Sequence, residues 1–160
     1  MGWRLKKHKL LRINNHKHQD LYKKCVEVIE FNEELRDLAD QMFKVMRKKR
    51  GAGLACNQVG YNYRMFIMEP KLNNKRIIIN PRIISVSNEM MTCNEACLSF
   101  NKGQLKYPIK RYKSIEVEYQ NSKGEIKTYL AHEFESSIIQ HEIDHLNGIT
   151  IYDKWKQQNE

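Results

Sequence analysis

The chain has 160 residues, 41% of them hydrophobic, which suits one globular domain with a real core and gives no reason to divide residues 1–160. A formal net charge of +9, from 28 basic against 19 acidic residues, favours an anionic partner such as RNA or simply keeps the protein soluble, and charge alone does not choose. Four cysteines at irregular spacing argue against a disulfide framework and for a reducing, cytosolic setting, and the lack of any run of about 18 apolar residues excludes a membrane span.

Residues 1–19 form a basic arm in which Trp3, Leu5, Leu10, Leu11 and Ile13 are set among Lys, Arg and His, and an irregular or strand-like path over the body is expected. His8, His16 and His18 read as part of a solvated arm, because no ordered ligand geometry is implied. The arm lacks the apolar stretch of a secretory signal and the serines of a transit peptide, and Lys6 stands where a myristoylation signal wants Ser or Thr.

From Asn32 the pattern turns helical. Leu35, Leu38, Ala39, Met42, Phe43 and Met46 recur at three-and-four spacing, Asn32 is placed to cap, and Arg47-Lys48-Lys49-Arg50 sits at the negative end of the helix dipole. Gly51 to Gln58 follows as a glycine-bearing loop. It has no Gly-Lys-Ser/Thr ending and is therefore no phosphate cradle.

Arg64 to Glu69, Lys75 to Asn80 and Arg82 to Val86 read as short strands separated by Pro70, Asn73-Asn74 and Pro81. Ile115, Val117 and Tyr119 alternate with polar residues, Asn121-Ser122-Lys123-Gly124 turns the chain, and Ile126, Thr128 and Leu130 alternate again, which predicts a hairpin. After a second helix, Asn147-Gly148 marks a stop and Ile149 to Tyr152 a final strand. The fold class is α+β, with antiparallel sheets around a central helix and one helix nearer the N-terminus.

That central helix carries Gln140-His141-Glu142-Ile143-Asp144-His145. Two histidines four apart lie on one helix face as a pair of metal ligands, and Glu142 is carried beside the metal to take a proton from water. Only Asp153 and Glu160 could serve as ligands downstream, so the third ligand is expected upstream. His132, Cys25, Cys56, Cys93 and Cys97 are the candidates, and the sequence Asn94-Glu95-Ala96-Cys97-Leu98-Ser99 favours Cys97.

Gly51-Ala52-Gly53-Leu54-Ala55-Cys56-Asn57-Gln58, Glu95-Ala96-Cys97-Leu98-Ser99 and Gln140-His141-Glu142-Ile143-Asp144-His145 resemble the three motifs of the peptide deformylases, in order and at similar spacing. The resemblance runs from about Leu21 to Asp153 and includes Ile77-Ile78-Ile79-Asn80-Pro81. It implies a hydrolase that removes the formyl group from N-formylmethionine of nascent polypeptides and releases formate. It also implies one divalent metal, natively Fe(II) and replaceable by zinc or nickel, on Cys97, His141 and His145. Glu142 would be general base and acid, with Gln58 and the Leu98 backbone N–H as oxyanion donors. Ala52, Gly53, Glu95 and Ala96 would line the substrate, and Phe134, Ser137 and Ile138 the methionine pocket.

Departures from the family pattern are Cys56 in place of a small residue, Ala96 in place of glycine, Asn101 in place of proline and a polar Ser137 in an apolar pocket. Cys93 is left as an ordinary buried or half-buried thiol. With about fifteen residues after His145, the long C-terminal helix that docks many bacterial members on the ribosome is not expected, and the short end resembles compact versions carried by some bacteriophages. A monomer in the cytoplasm of a bacterial or phage-infected cell is implied. Basic residues of the arm, with Lys154 and Lys156, are expected either to make a salt-sensitive contact with ribosomal RNA or only to solubilise the surface. The alternatives are an HExxH metallopeptidase, which lacks its usual downstream ligand here, and a non-catalytic basic module that binds RNA or the ribosome.

Overall fold

Met65-Phe66-Ile67-Met68 is buried at every position, and a strand buried on both faces needs a layer of structure on each side. The computed structural model describes residues 11–160, so Trp3, Leu5, His8 and Leu10 of the arm lie outside the described residues. In chain order the main elements are α1 (Glu33–Lys48), β1 (Gly53–Ala55), β2 (Met65–Met68), β3 (Arg76–Val86), β4 (Met90–Ala96), β5 (Lys106–Tyr112), β6 (Ser114–Gln120), β7 (Ile126–His132), α2 (Glu133–Leu146) and α3 (Ile151–Asn159). Antiparallel pairing in the order β1-β2-β3-β6-β7 builds one sheet, and β4-β5 builds a second.

Alternation along β2 and β3 divides the core. Met65, Ile67 and Ile79 pack with Leu38, Met42 and Met46 of α1, whereas Phe66, Met68 and Ile78 pack with Ile139, Ile143 and Leu146 of α2. The apolar stripe predicted for α1 is the buried one, and Asn32 caps the helix by accepting from the Leu35 N–H at 3.0 Å. On its far side α2 meets the two-stranded sheet, so it lies between the two sheets as the α+β expectation requires.

Three local expectations are corrected. The glycine-bearing loop contains the short edge strand β1 and a 3-10 turn, Cys56–Val59. Pro81 does not divide two strands: β3 runs through it, because the pairing with β6 shifts register between Ile79 and Arg82 and asks no ladder hydrogen bond of the proline. Asn80 takes a left-handed backbone there (φ 50°), and its side chain accepts from the Val28 N–H at 2.9 Å and donates to the Val28 carbonyl at 2.8 Å. The expected last strand is α3 instead. Thr150 and Asp153 form a reciprocal cap that starts it, and Gln158 seats it on β5 by bonding both the N–H and the carbonyl of Lys110, at 2.9 and 3.0 Å.

The arm takes the expected irregular path over the body and is strapped to it from Leu11 to His16. Leu11 and Ile13 pack on the α1 cluster, Asn14 N–H donates to the Gln58 carbonyl and His16 N–H to the Ser99 carbonyl, both at 2.7 Å, and the His16 ring stacks on Phe100. Strands β4 and β5 had no clear sequence signal, because Pro108 interrupts β5 and one of its two buried positions is Arg111. Among the described residues no helix is long and apolar enough to cross a membrane.

Gly148 ends α2 at φ 75°, and a Cβ there would meet the Tyr22 carbonyl carbon and oxygen at 2.8 Å. Gly148→Ala is expected to lower stability by about 2 kcal/mol, combining the left-handed penalty with this close approach, and the urea midpoint measures it.

Candidate metal centre and its cleft

On α2, His141 and His145 stand one turn apart with their Nε2 atoms 3.1 Å from each other. Cys97, just past the end of β4, brings its Sγ to 3.3 Å from His145 Nε2, and the three donor atoms all lie within 4.8 Å of one another. Donors in a tetrahedral Cys-His-His site sit roughly 3.3–3.6 Å apart given its usual bond lengths, so a first-row divalent ion fits this set. Burial opposes charge on both imidazoles. Hydrogen bonds to Cys97 and Glu95 overcome it at His141 and push that ring well above an ordinary histidine, while burial and the charge on His141 push His145 well below.

Behind the nest is a buried ion network. Glu95, two residues before Cys97, accepts from His141 Nδ1 at 2.9 Å and from both ends of the Arg111 guanidinium at 2.7 and 2.8 Å. Burial opposes ionisation of Glu95, but Arg111 and His141 outweigh it and hold the carboxyl at about 2. Arg111, 2% exposed, reaches Asp144 of α2 at 2.6 Å with its remaining arm, and the two carboxylates raise its pKa despite burial. Glu95 therefore fixes the tautomer and direction of His141 and has only its backbone left to face a substrate. The His145 turn is held from the other side, where Asn57 Nδ2 donates to its carbonyl at 2.6 Å.

Glu142 is 3% exposed, and burial pushes its carboxyl up to about 7 against the pull of His141. Its Oε2 has no hydrogen-bond partner among the described residues. Gly53 makes room for it: a Cβ at that position would lie 2.5 Å from Glu142 Oε1. Gln58 is aimed by its own turn. Its Oε1 accepts from the Ala55 N–H at 3.0 Å, which leaves Nε2 3.1 Å from Ser99 Oγ and 3.5 Å from Cys97 Sγ.

These groups share one cleft of about 550 Å³. Ala52 and Gly53 line it on the β1 side, Glu95, Ala96, Cys97 and Leu98 on the β4 side, and Phe134, Ser137, Ile138, His141 and Glu142 from α2. Gln58 lines it as well, and His145 lies beside His141, so the structure brings together every residue that the family resemblance assigned to the site, while Cys25, Cys56 and His132 stay apart from the donor set. Cys93 is the half-buried free thiol expected, and with Met91 it also lines the cleft. Sequence reasoning missed Arg111, Asp144 as its partner, and Asn57. Arg111 looks like one more member of a basic surface run, and nothing in its spacing marks it as buried. Lys49, Arg50 and Lys102, read as a helix-end cluster or not at all, stand at the cleft as well.

The chain matches the family model described as polypeptide deformylase over residues 10–160. It is 37% identical to the peptide deformylase of Thermotoga petrophila over 134 residues, covering 84% of this chain and 80% of that one. The crystal structure of the peptide deformylase from Thermotoga maritima superposes with a TM-score of 0.87 at 35% identity, covering 92% of this chain and 98% of that one. A probable peptide deformylase from Synechococcus phage S-SSM7 gives 0.83 at 35% identity, covering 90% and 99%.

Cys97→Ser, His141→Ala and His145→Ala are each expected to abolish the one-ion-per-chain stoichiometry. Glu95→Gln, which loosens His141 without removing a ligand, should weaken metal binding about 10–100-fold. Elemental analysis and chelator competition on protein purified without oxygen are the measurements.

Proposed function

The chain belongs to the peptide deformylase family, and on that footing we propose that Cys97, His141 and His145 hold one divalent ion, natively Fe(II) and replaceable by zinc or nickel. It is a metal-dependent hydrolase that removes the formyl group from nascent peptides. An internal-bond metallopeptidase and a non-catalytic RNA-binding module find no support among its relatives. The observation that carries the residue-level reading is the convergence in one cleft of the three donor atoms, the buried Glu142 carboxyl and the Gln58 amide.

When bound, the ion supplies Lewis acidity toward water and the formyl carbonyl. Glu142 takes the proton of the attacking water and delivers it to the leaving amine, so formate and a free N-terminal methionine leave the site. Gln58 Nε2 and the Leu98 N–H donate to the oxygen that becomes negative. The peptide runs in extended form between β1 and β4, each of which has an edge without a strand partner among the described residues. Ala52, Gly53, Glu95 and Ala96 flank it through their backbones, and Phe134, Ser137 and Ile138 take the methionine side chain. Residues 1–160 act as one catalytic domain, as a monomer in the cytoplasm. Its contact with ribosomes is electrostatic and runs through arm residues and through Lys154 and Lys156, the latter 5.7 Å from the Tyr152 ring of α3.

Glu142→Gln should retain metal and lose about 10²–10⁴-fold in formate release, because it removes the base and no ligand. Gly53→Ala should act in the same direction by displacing the carboxylate, and near-normal turnover in either variant would refute the assignment of the base. Co-sedimentation with ribosomes should weaken steadily across a rising salt series, and binding that ignores salt would exclude the electrostatic contact.

A further inference from the structure

The exposed charges on the lining of the cleft are all positive. Lys49 and Arg50 leave the C-terminal end of α1, and Lys102 stands in the turn that follows Ser99. None of the three forms an ion pair among the described residues. The only acidic groups on the lining are Glu95, committed to Arg111 and His141, and Glu142, buried at the chemical centre. Arg50 at φ 58° and Lys102 at φ 54° occupy left-handed backbone, which side chains other than glycine adopt at a cost, so the surrounding fold imposes their placement.

We propose that Lys49, Arg50 and Lys102 form a cationic rim that selects formyl-methionyl chains carrying acidic side chains soon after the methionine. The inference rests on the deformylase reading. With the formyl group at the ion and methionine among Phe134, Ser137 and Ile138, the rest of the peptide leaves through the open end of the cleft. An extended chain advances about 3.3 Å per residue, and the residues that follow the methionine share this lining with the three cations. A single exposed ion pair changes affinity only about 1.4–5-fold, and three cations acting on two carboxylates amount to a roughly tenfold preference at low salt.

The test compares kcat/KM for formyl-Met-Ala-Glu-Glu with formyl-Met-Ala-Gln-Gln, two peptides alike in shape, at low and high salt. The binding of the same peptides without the formyl group is measured by calorimetry alongside. The metal-loaded protein is expected to favour the glutamate peptide about tenfold, and salt should erode the preference. Lys102→Gln should lower the ratio partway, and the Lys49→Gln, Arg50→Gln, Lys102→Gln triple variant should bring it close to one. Equal handling of both peptides by the wild type, or a preference that survives in the triple variant, overturns the rim. Equal formate release from both would do so while the deformylase reading stands. Charge-selective binding without any formate release would instead refute the hydrolase and leave the rim intact. A polyuridylate oligomer that displaces the glutamate peptide at far lower concentration would assign the rim to nucleic acid and overturn the proposal.

Discussion

Burying a helix that carries Gln140, His141, Glu142, Asp144 and His145 between two sheets obliges the neighbouring elements to answer each polar group. An unanswered one costs about 1–3 kcal/mol, more if charged. The answers come from three segments, β4, β5 and the 3-10 turn Cys56–Val59. Gln140 accepts from the Tyr112 N–H at 3.1 Å and donates to its carbonyl at 2.9 Å, Arg111 meets Asp144, Glu95 meets His141, and Asn57 holds the His145 carbonyl. The two-stranded sheet is needed for this pairing, since β4 brings Glu95 and β5 brings Arg111 and Tyr112.

On α2 the pairing stops at two atoms, both at the cleft or just behind it. Glu142 Oε2 and His145 Nδ1 are buried without partners among the described residues, beside the donor set. A structural carboxylate of similar burial, Glu95, is held at about 2 by Arg111 and His141, whereas Glu142 is raised by burial to about 7. Two carboxylates on adjoining elements are thereby separated into a fixed anion that orients His141 and one that exchanges its proton near neutral pH, the division that the proposed roles require.

Rigidity around these groups comes from peripheral pieces. Asn14 and His16 tie the arm to Gln58 and Ser99, so one extended segment bridges the two loops that carry the amide donor and the residue following the thiolate motif. On the opposite side α3 is held to α2 by Lys154 at 3.6 Å from Asp144 and to β5 by Gln158. Both pieces combine such polar contacts with a few apolar ones, Leu11 and Ile13 of the arm and Ile151 of α3, too few to display a hydrophobic period in the sequence.

The sequence by itself determined the α1 stripe, the β6-β7 hairpin, the metal-binding face of α2 and the three motifs that converge on it. Each is a local pattern: a 3.6-residue or two-residue period, or residue types at the spacing that puts two ligands on one helix face. It misread Pro81 as a break and Ile149 to Tyr152 as a strand, because a register shift and a reciprocal Thr150–Asp153 cap are settled by pairing and not by composition. Only the tertiary structure decided that Arg111 is buried, that Cys93 faces the cleft and that the cations at the end of α1 share a rim with Lys102. Arg111 meets Glu95 and Asp144 across sequence separations of 16 and 33 residues, and a pairing made across such distances by packing three elements together leaves no periodic mark in the chain.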